Sequence, residues 1–353
     1  MNKMIYIVAG LILSGLIIAY FFTRSKNSAA PKADYFISTQ GQSDDRIKSL
    51  NLDKPSEDAS SILDTSKLSF PKHAPKIVEY KADPEIEWII NVNLLTDSVF
   101  RTAELLQLFG KESGFTVYGH SATEGRWTFV TASESSATYD KIQIAIDLIH
   151  LNDSAHEKLQ EYITLLNKNI KNYPSKISLE PAEPMSNAIE KSKKISELET
   201  KVFGQEATII LQSEKSFNGL AAWDALICTG LKWGDGDLFH WNNNTDYGDD
   251  QHFSVWTDTE PGYFLPENIR NGEMNPGDLR FSFLIPRSAD PQNIFVVMLE
   301  AAKYCQKKLG GTLLNESGQP FDEAKEKERL ANLIDKMKSK GIVPGSEKAL
   351  RIY

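Results

Sequence analysis

The sequence predicts an α+β chain in which two similar modules follow an apolar amino-terminal stretch and a polar segment. Three observations support this prediction. Short alternating apolar runs and runs with helical spacing occur in the order β-α-β-β-β-α over residues 84–172. The same order begins again at residue 205, roughly 120 residues later, which indicates a degenerate internal duplication. Residues 4–22 carry no charged side chain, which sets them apart from everything that follows.

Length and charge narrow the class of protein. The chain has 353 residues, 39 basic and 48 acidic side chains, and a formal net charge of −9. This length corresponds to about two domains, or to one domain with a long tail, and either can bury a real core, so composition disfavours wholesale disorder. A charged fraction of 25% excludes a multi-span membrane protein. Net acidity without a local basic stripe disfavours nucleic acid as a partner.

The apolar run Met4–Phe22 is predicted to be a single transmembrane anchor. Its 19 residues would span about 28 Å as a helix, close to the hydrocarbon thickness of a bilayer. Tyr20, Phe21 and Phe22 followed by Arg24 and Lys26 are typical of an interfacial belt with a basic flank. A cleaved signal peptide is the competing reading, and the run is too long for it.

The two cysteines indicate the side of the membrane on which the remainder lies. Cys228 and Cys305 are too few and too far apart for a disulfide framework or a zinc site, and both fall in apolar helical patterns. Two buried, reduced thiols fit a cytosolic body. We therefore expect an uncleaved anchor in the bacterial inner membrane with the carboxy-terminal body in the cytoplasm.

Residues 23–83 are predicted to be a polar linker. Four prolines are scattered through a stretch rich in Ser, Lys and Asp, without a sustained helical or alternating period. A second polar stretch, residues 173–204, contains three prolines and ends in a short helix. These two segments separate the anchor from the first module and the first module from the second.

The first module, residues 84–172, carries four predicted strands and two predicted helices. The strands are Trp88–Val92, Phe115–Tyr118, Trp127–Val130 and Ile142–Ile146, and the helices are Val99–Phe109 and His156–Ile170.

The second module, residues 205–340, repeats this order and leaves residues 341–353 as a tail. Its predicted strands are Ala207–Leu211, Leu238–Trp241, His252–Trp256, Leu279–Ile285 and Thr312–Leu314. Its predicted helices are Leu220–Cys228, Pro291–Leu309 and a last helix with Leu330, Leu333, Ile334 and Met337 as its apolar stripe.

Several short signatures in the second module occur in a characteristic order. They are Asn218-Gly219, Gly230-Leu231-Lys232-Trp233-Gly234-Asp235, Leu238-Phe239-His240, Phe253-Ser254-Val255, Glu260-Pro261-Gly262-Tyr263-Phe264, Pro276-Gly277 and Gly310-Gly311. In this order and spacing, residues 205–340 resemble the carboxy-terminal domain of the ZipA family of bacterial cell-division proteins. A membrane anchor, a linker and a carboxy-terminal domain of this kind are also the architecture of that family.

The resemblance implies a binding module and a particular site. Members of the family bind the carboxy-terminal tail peptide of FtsZ on the exposed face of an antiparallel sheet whose other face is covered by helices. Carried over by alignment, the peptide-binding positions are Thr208 and Ile210 in the first strand, Gly236 and Leu238 in the second, Trp256, Asp258 and Glu260 in the third, and Arg280, Ser282 and Leu284 in the fourth. The fourth strand is one residue longer than the family pattern, and a slip of one residue would exchange its two faces.

The predicted face departs from the family at two positions. Asp258 and Glu260 stand where the family has Met and Lys, so the face gains two acids. Complementarity would then require an unusually basic FtsZ tail. Trp256 is the best candidate for an anchoring side chain, and its alternative is a half-buried aromatic at the edge of the sheet.

The residues give little support to catalysis or metal binding. The six histidines show no metal-ligand spacing, and His240 with His252 suggests a cross-strand contact in a hairpin. The cluster Asp235, Asp237, Asp246, Asp249 and Asp250 does not have the spacing of an EF-hand loop and is typical of a solvated turn. We therefore predict no enzyme activity, no cofactor and no metal.

Two functional hypotheses follow. The first is a single-pass inner-membrane protein that tethers FtsZ at the division site, held in the bilayer by residues 4–22, with residues 84–172 offering a second protein partner a surface or stiffening the tether. The second is a membrane-anchored structural protein that has the ZipA-like fold and binds a different partner.

Overall fold

The computed structural model describes residues 42–71, 80–94, 99–109, 114–131, 136–149, 151–171, 177–202 and 205–353. The predicted anchor at 4–22 and the first part of the predicted linker lie outside these residues. Among the helices that the structure describes, none is both long and apolar enough to cross a bilayer. Contacts divide the chain into two compact units, which we call the middle unit (residues 72–203) and the carboxy-terminal unit (residues 204–351 with residues up to 71).

The carboxy-terminal unit begins with residues 42–71, which we call the 42–71 segment. Residues 42–49 form helix α1, and 3₁₀ turns follow at Ser60–Ile62 and Thr65–Lys67. Ile47 and Leu52 are buried, at 9% and 5% exposure. This differs from the predicted linker, because the few apolar side chains of the segment are held by contacts distant in sequence.

The middle unit is a five-stranded antiparallel sheet with three helices. The strands are β1 (Glu87–Leu94), β2 (Phe100–Arg101), β3 (Thr116–Ser121), β4 (Arg126–Phe129), β5 (Thr138–Tyr139), β6 (Lys141–Asp147) and β7 (Ile177–Pro181). The helices are α2 (Thr102–Phe109), α3 (Ala155–Ile170) and α4 (Met185–Val202). The sheet order is β4-β3-β6-β1-β7, and β2 pairs with β5 in a separate ribbon.

The predicted linker 173–204 contributes structure to the middle unit. Strand β7 pairs with β1, and α4 is an 18-residue helix rather than a short one. Ala188, Ser192 and Ile195 are buried at helical spacing, and Ser192 Oγ donates a hydrogen bond to the Leu148 carbonyl at 2.9 Å. The polar background of this stretch therefore belongs to the solvent side of a packed helix.

The rest of the carboxy-terminal unit is a six-stranded antiparallel sheet covered by helices. Its strands are β8 (Glu206–Gln212), β9 (Lys232–Trp233), β10 (Phe239–Asn242), β11 (Gln251–Trp256), β12 (Asp278–Leu284) and β13 (Thr312–Leu314). Its helices are α5 (Gly219–Cys228), α6 (Pro266–Asn271), α7 (Pro291–Leu309), α8 (Glu323–Ser339) and α9 (Glu347–Ile352). The sheet order is β13-β8-β12-β11-β10-β9, which agrees with the predicted α+β class.

Helix caps and strand alternation explain how the core forms. The Asp290 side chain accepts a hydrogen bond from the Asn293 amide ahead of Pro291, and Gly310 ends α7 with φ 76°. Helix α7 packs on β8, β11 and β12, where Phe281 and Phe283 are buried. Because side chains alternate along a strand, the other face of β12 carries Arg280, Ser282 and Leu284.

The two units share their element order only when the two-residue strands β2, β5 and β9 and the short helix α6 are set aside, and their strand pairing differs. In the middle unit the first strand of the hairpin, β3, pairs with β6. In the carboxy-terminal unit the second strand of the hairpin, β11, pairs with the equivalent strand β12. The hairpin is therefore inserted in opposite senses in the two sheets, and an internal duplication stays a prediction.

Candidate peptide-binding face

The sheet face turned away from α7, which we call the outer face, brings six of the predicted residues together. Ile210 lies opposite Arg280, which lies opposite Trp256, and Thr208 lies opposite Ser282. Leu284 follows on the same face of β12. In this register the side chains of Arg280, Ser282 and Leu284 lie on the outer face, and the side chain of Phe281 lies on the face covered by α7.

The six residues differ in how much they expose. Thr208 and Ile210, at the centre of the sheet, are only 7% and 4% exposed. Trp256, Ser282 and Leu284 are half-buried. A peptide lying on this face would therefore contact the second group more extensively than the first.

Four of the predicted residues lie outside the strands to which they were assigned. Gly236 is in the 3₁₀ turn Asp235–Asp237, with φ 65°, and Leu238 directly precedes β10. Strand β11 ends at Trp256, so Asp258 and Glu260 belong to the following loop. The assignment to strands, which was carried over by alignment, was wrong for these four residues, because a turn with two left-handed residues precedes β10 and a loop follows β11.

Arg280 organises one end of the outer face. Its Nε is 2.7 Å from Asp278 Oδ2, its Nη2 forms an ion pair with Asp258, and its guanidinium carbon lies 5.2 Å from the centre of the Trp256 ring. Asp278 also accepts hydrogen bonds from Thr257 Oγ1 and the Asp258 amide, each at 2.8 Å. Partial burial raises the pKa of Asp258 above its ordinary value despite the nearby Arg280.

A row of polar side chains crosses the middle of the outer face. Thr208, Ser282, Ser254, His240 and Lys232 occupy successive partner positions on five strands. His240 Nε2 is 2.7 Å from the Asp235 carbonyl, and Nδ1 is 2.8 Å from Ser254 Oγ. Because a carbonyl can only accept, Nε2 carries the proton and Nδ1 accepts from the Ser254 hydroxyl.

The suggested cross-strand contact between His240 and His252 is not formed. His240 lies opposite Ser254, in the same register as the pairs Phe239–Val255 and Trp241–Phe253, and the bulge comes only after Trp241. His252 instead has ring centroids of Trp241 and Phe70 at 4.5 Å and 6.0 Å. Burial lowers the pKa of His252 to about 4.

Glu206 is a residue of this face that the sequence reasoning missed. It lies opposite Leu284, and Thr208 and Ser282 hydrogen-bond to its carboxylate. Burial, with a smaller contribution from Glu316, raises its pKa to about 7. The signal was available, since Glu206 continues the alternation of Thr208 and Ile210 by one position.

Two members of the predicted acidic cluster, Asp249 and Asp237, form ion pairs with arginine side chains of the same unit. Arg287 Nε and Nη2 donate to Asp249 at 2.9 Å and 3.0 Å, and Arg46 Nη1 donates to Asp237 at 3.2 Å. Within the described ranges, no group of three or more His, Cys, Asp or Glu side chains is placed to hold a metal ion.

Comparison with known proteins confirms the resemblance of the carboxy-terminal unit. Residues 206–331 match the family described as ZipA, C-terminal FtsZ-binding domain. The "Cell division protein ZipA" of Marinobacter nauticus is 31% identical over 108 residues, which are 31% of this chain and 31% of that protein. The proteins of the same name from Shewanella frigidimarina and Actinobacillus succinogenes are 29% and 25% identical over 125 residues.

These matches cover about a third of the length of each relative, namely 31%, 35% and 36%. The family match at residues 206–331 falls within the unit that carries β8–β13 and the outer face. Residues 206–331 of the carboxy-terminal unit are therefore similar to the ZipA C-terminal FtsZ-binding domain.

Proposed function

We propose that this chain is a membrane-anchored cell-division protein that tethers FtsZ to the inner membrane by binding its carboxy-terminal tail peptide on the outer face. One observation carries the proposal: half-buried apolar side chains, Trp256 and Leu284, stand on a sheet face within the segment that matches an FtsZ-binding domain. Half-buried apolar groups on an otherwise polar face are typical of a docking surface.

Trp256 is suited to anchor the peptide. The guanidinium of Arg280 lies over its ring, and Arg280 is itself held by Asp278 and Asp258, so the indole is fixed before the peptide arrives. A fixed side chain loses less conformational entropy on binding. Truncation of a tryptophan that anchors an interface typically costs about 2 kcal/mol or more, so loss of the indole would weaken binding about tenfold or more.

The charge of the outer face fits a peptide that carries at least one basic residue. Asp258 and Glu260 are both exposed acids of the loop after β11, and Asp258 forms an ion pair with Arg280. A basic peptide residue near this loop would meet Glu260 directly and would compete with Arg280 for Asp258. We therefore expect moderate salt dependence rather than a dominant electrostatic contribution.

The membrane part of the proposal rests on the sequence. The uncharged run at 4–22 would span the bilayer, and the carboxy-terminal body would face the cytoplasm, where FtsZ is found. Localisation to the division site would then follow from FtsZ binding.

Isothermal titration of the full chain in detergent with the host's FtsZ tail peptide tests the binding step. We expect the wild type to bind, Trp256→Ala to bind about tenfold or more weakly, and Leu284→Glu to lose binding. Leu220→Glu is the matched control, because Leu220 is 38% exposed on α5, a helix on the opposite side of the sheet. Equal loss in all three variants, or none in the wild type at low or moderate salt, would contradict the proposal.

Imaging of a fluorescent fusion separates this function from the alternative of a structural protein with another partner. The tether requires a midcell band that disappears when FtsZ is depleted and is lost with Trp256→Ala. A band that survives Trp256→Ala and Leu238→Glu together would exclude the outer face as the docking surface. A pull-down that compares the full chain with a variant mutated within residues 84–172 would show whether the middle unit binds a second protein.

A further inference from the structure

The 42–71 segment lies outside the residues that match the family, yet it reaches the candidate site through Arg46. Arg46 Nε and Nη2 donate to Glu267 Oε1 and Oε2 at 2.8 Å and 2.6 Å, which is a bidentate pair. Its Nη1 donates to Asp237 Oδ1 at 3.2 Å, and its guanidinium carbon lies 5.1 Å from the centre of the Trp233 ring. One side chain thus joins α6, β9 and the turn Asp235–Asp237.

That turn is strained and presents two of the predicted contact residues. Gly236 and Asp237 both have left-handed backbone conformations, with φ 65° and 58°. A left-handed conformation costs a residue with a side chain free energy, so the surroundings must hold Asp237 in place. Gly236 lies within the turn and Leu238 directly follows it.

Several hydrogen bonds hold the backbone of this turn, including Asp237 N to the Gly234 carbonyl at 2.8 Å and His240 Nε2 to the Asp235 carbonyl at 2.7 Å. The Gly234 amide donates to the Leu238 carbonyl at 3.0 Å, and the Phe264 amide donates to the Asp237 carbonyl at 2.9 Å. Both bonds fix the backbone. Among the contacts described for the Asp237 carboxylate, Arg46 is the cation that balances it, and burial raises the pKa of that carboxyl.

Hydrogen bonds further along the 42–71 segment attach it to α5 and so keep Arg46 close to the turn Asp235–Asp237. Trp223 Nε1 donates to the Leu52 carbonyl at 2.8 Å, and Ser56 donates to both carboxylate oxygens of Asp224 at 2.8 Å and 2.6 Å. The Ala59 amide donates to the Cys228 carbonyl at 2.9 Å. Several independent attachments reduce the entropy that Arg46 must lose to hold the turn.

We propose that Arg46 is a positioning residue for the peptide-binding face: it holds the turn Asp235–Asp237 in the shape that presents Gly236 and Leu238. This inference rests on the proposed function for its effect on binding. It makes a stretch that precedes the family domain by more than a hundred residues part of the binding unit. The 42–71 segment, which lies within the predicted linker, would then influence peptide binding by the carboxy-terminal unit.

The test compares full-length Arg46→Ala, Arg46→Lys and Lys67→Ala with the wild type. Lys67 is the matched control, because it pairs with Glu300 on α7 at 2.7 Å from the same segment, away from the turn. Amide hydrogen exchange over residues 234–240 is measured without peptide, and the affinity for the FtsZ tail peptide is measured separately. We expect Arg46→Ala to exchange at least threefold faster in the turn and to bind at least threefold more weakly.

Arg46→Lys should give intermediate values, since an ammonium keeps one ion pair and loses the bidentate fork, and Lys67→Ala should match the wild type. Unchanged exchange in Arg46→Ala would overturn the proposal. Faster exchange with unchanged affinity, in a protein where Trp256→Ala still loses binding, would also overturn it. If the wild type does not bind the peptide, the proposed function fails, while the exchange rates still decide whether Arg46 holds the turn.

Discussion

Replacing Glu206 with Gln should make the carboxy-terminal unit more stable at high pH and leave it nearly unchanged at low pH. Burial and Glu316 raise the pKa of the Glu206 carboxyl from 4.5 to about 7, which means that the folded state disfavours the charged form. Each pKa unit of such a difference corresponds to about 1.4 kcal/mol, so the full penalty is at most about 3.5 kcal/mol.

The sign follows from which state binds the proton more tightly. Below pH 4.5 the carboxyl is protonated in both folded and unfolded chains, and the penalty is absent. Between pH 4.5 and about 7 the unfolded chain releases its proton first, so the wild type loses stability as the pH rises. Above pH 7 the loss is complete. Glu206→Gln cannot ionise and should not show this decline.

Urea unfolding followed by tryptophan fluorescence, at several pH values from 4 to 8, measures the effect. The middle unit is identical in both proteins, so the difference between them reports the carboxy-terminal unit. Glu323→Gln is a control of opposite sign, because Lys303 and Lys327 lower the pKa of Glu323 to about 2 and its loss should destabilise the unit near neutral pH. A difference between wild type and Glu206→Gln that stays constant from pH 4 to 8 would refute the reasoning.

Three further predictions concern other parts of the carboxy-terminal unit. Burial lowers the pKa of His252 from 6.5 to about 4, so the free energy of unfolding of the wild type should fall by up to about 3 kcal/mol as the pH falls through this range. His252→Gln should lose less stability in acid unfolding curves, and parallel curves for the two proteins would contradict this. Gly311→Ala should lower the stability by about 1–3 kcal/mol more than Gly310→Ala in thermal unfolding. Both glycines have positive φ, but only at Gly311 would a Cβ lie 2.6 Å from the Gln212 carbonyl oxygen. Equal costs would exclude this clash. Trp223→Phe should remove the hydrogen bond to the Leu52 carbonyl, at a cost of about 1 kcal/mol, and so loosen the 42–71 segment. Cys228, which Ser56 contacts, should then react about fivefold faster with a maleimide in intact-mass measurements, with buried Cys305 as the internal reference, and equal labelling of wild type and variant would count against the attachment.

The sequence predicted those elements best whose bounds depend on neighbouring residues. Helix α7 has an Asp-Pro start and a Gly-Gly end, and the predicted bounds coincide with those of the structure. Strand β12 alternates strictly, so its two faces could be assigned before the register was known. Both patterns are local consequences of capping and of strand geometry.

The remainder depends on contacts between distant residues. The 42–71 segment shows no hydrophobic periodicity in the sequence. It is attached to the unit by Arg46, Leu52 and Ser56, whose hydrogen-bond partners lie about 170 to 220 residues away. Gly236 and Leu238 were assigned to a strand by alignment, and the sequence Gly236-Asp237-Leu238 does not itself reveal that Gly236 and Asp237 form a left-handed turn. Glu206 was missed because an acid at the start of an apolar run resembles a boundary.

The two edges of the carboxy-terminal sheet limit how this protein associates with copies of itself. Strand β9 contains two residues and β13 three, so neither offers a long row of backbone donors and acceptors. The chain after β13 also folds back on it, where the Phe321 amide donates to the Leu313 carbonyl at 3.0 Å. Short or self-covered edges are a common defence against strand addition and aggregation. Under the proposed function, a chain concentrated on a membrane would therefore present its sheet face to a peptide without its sheet edges polymerising.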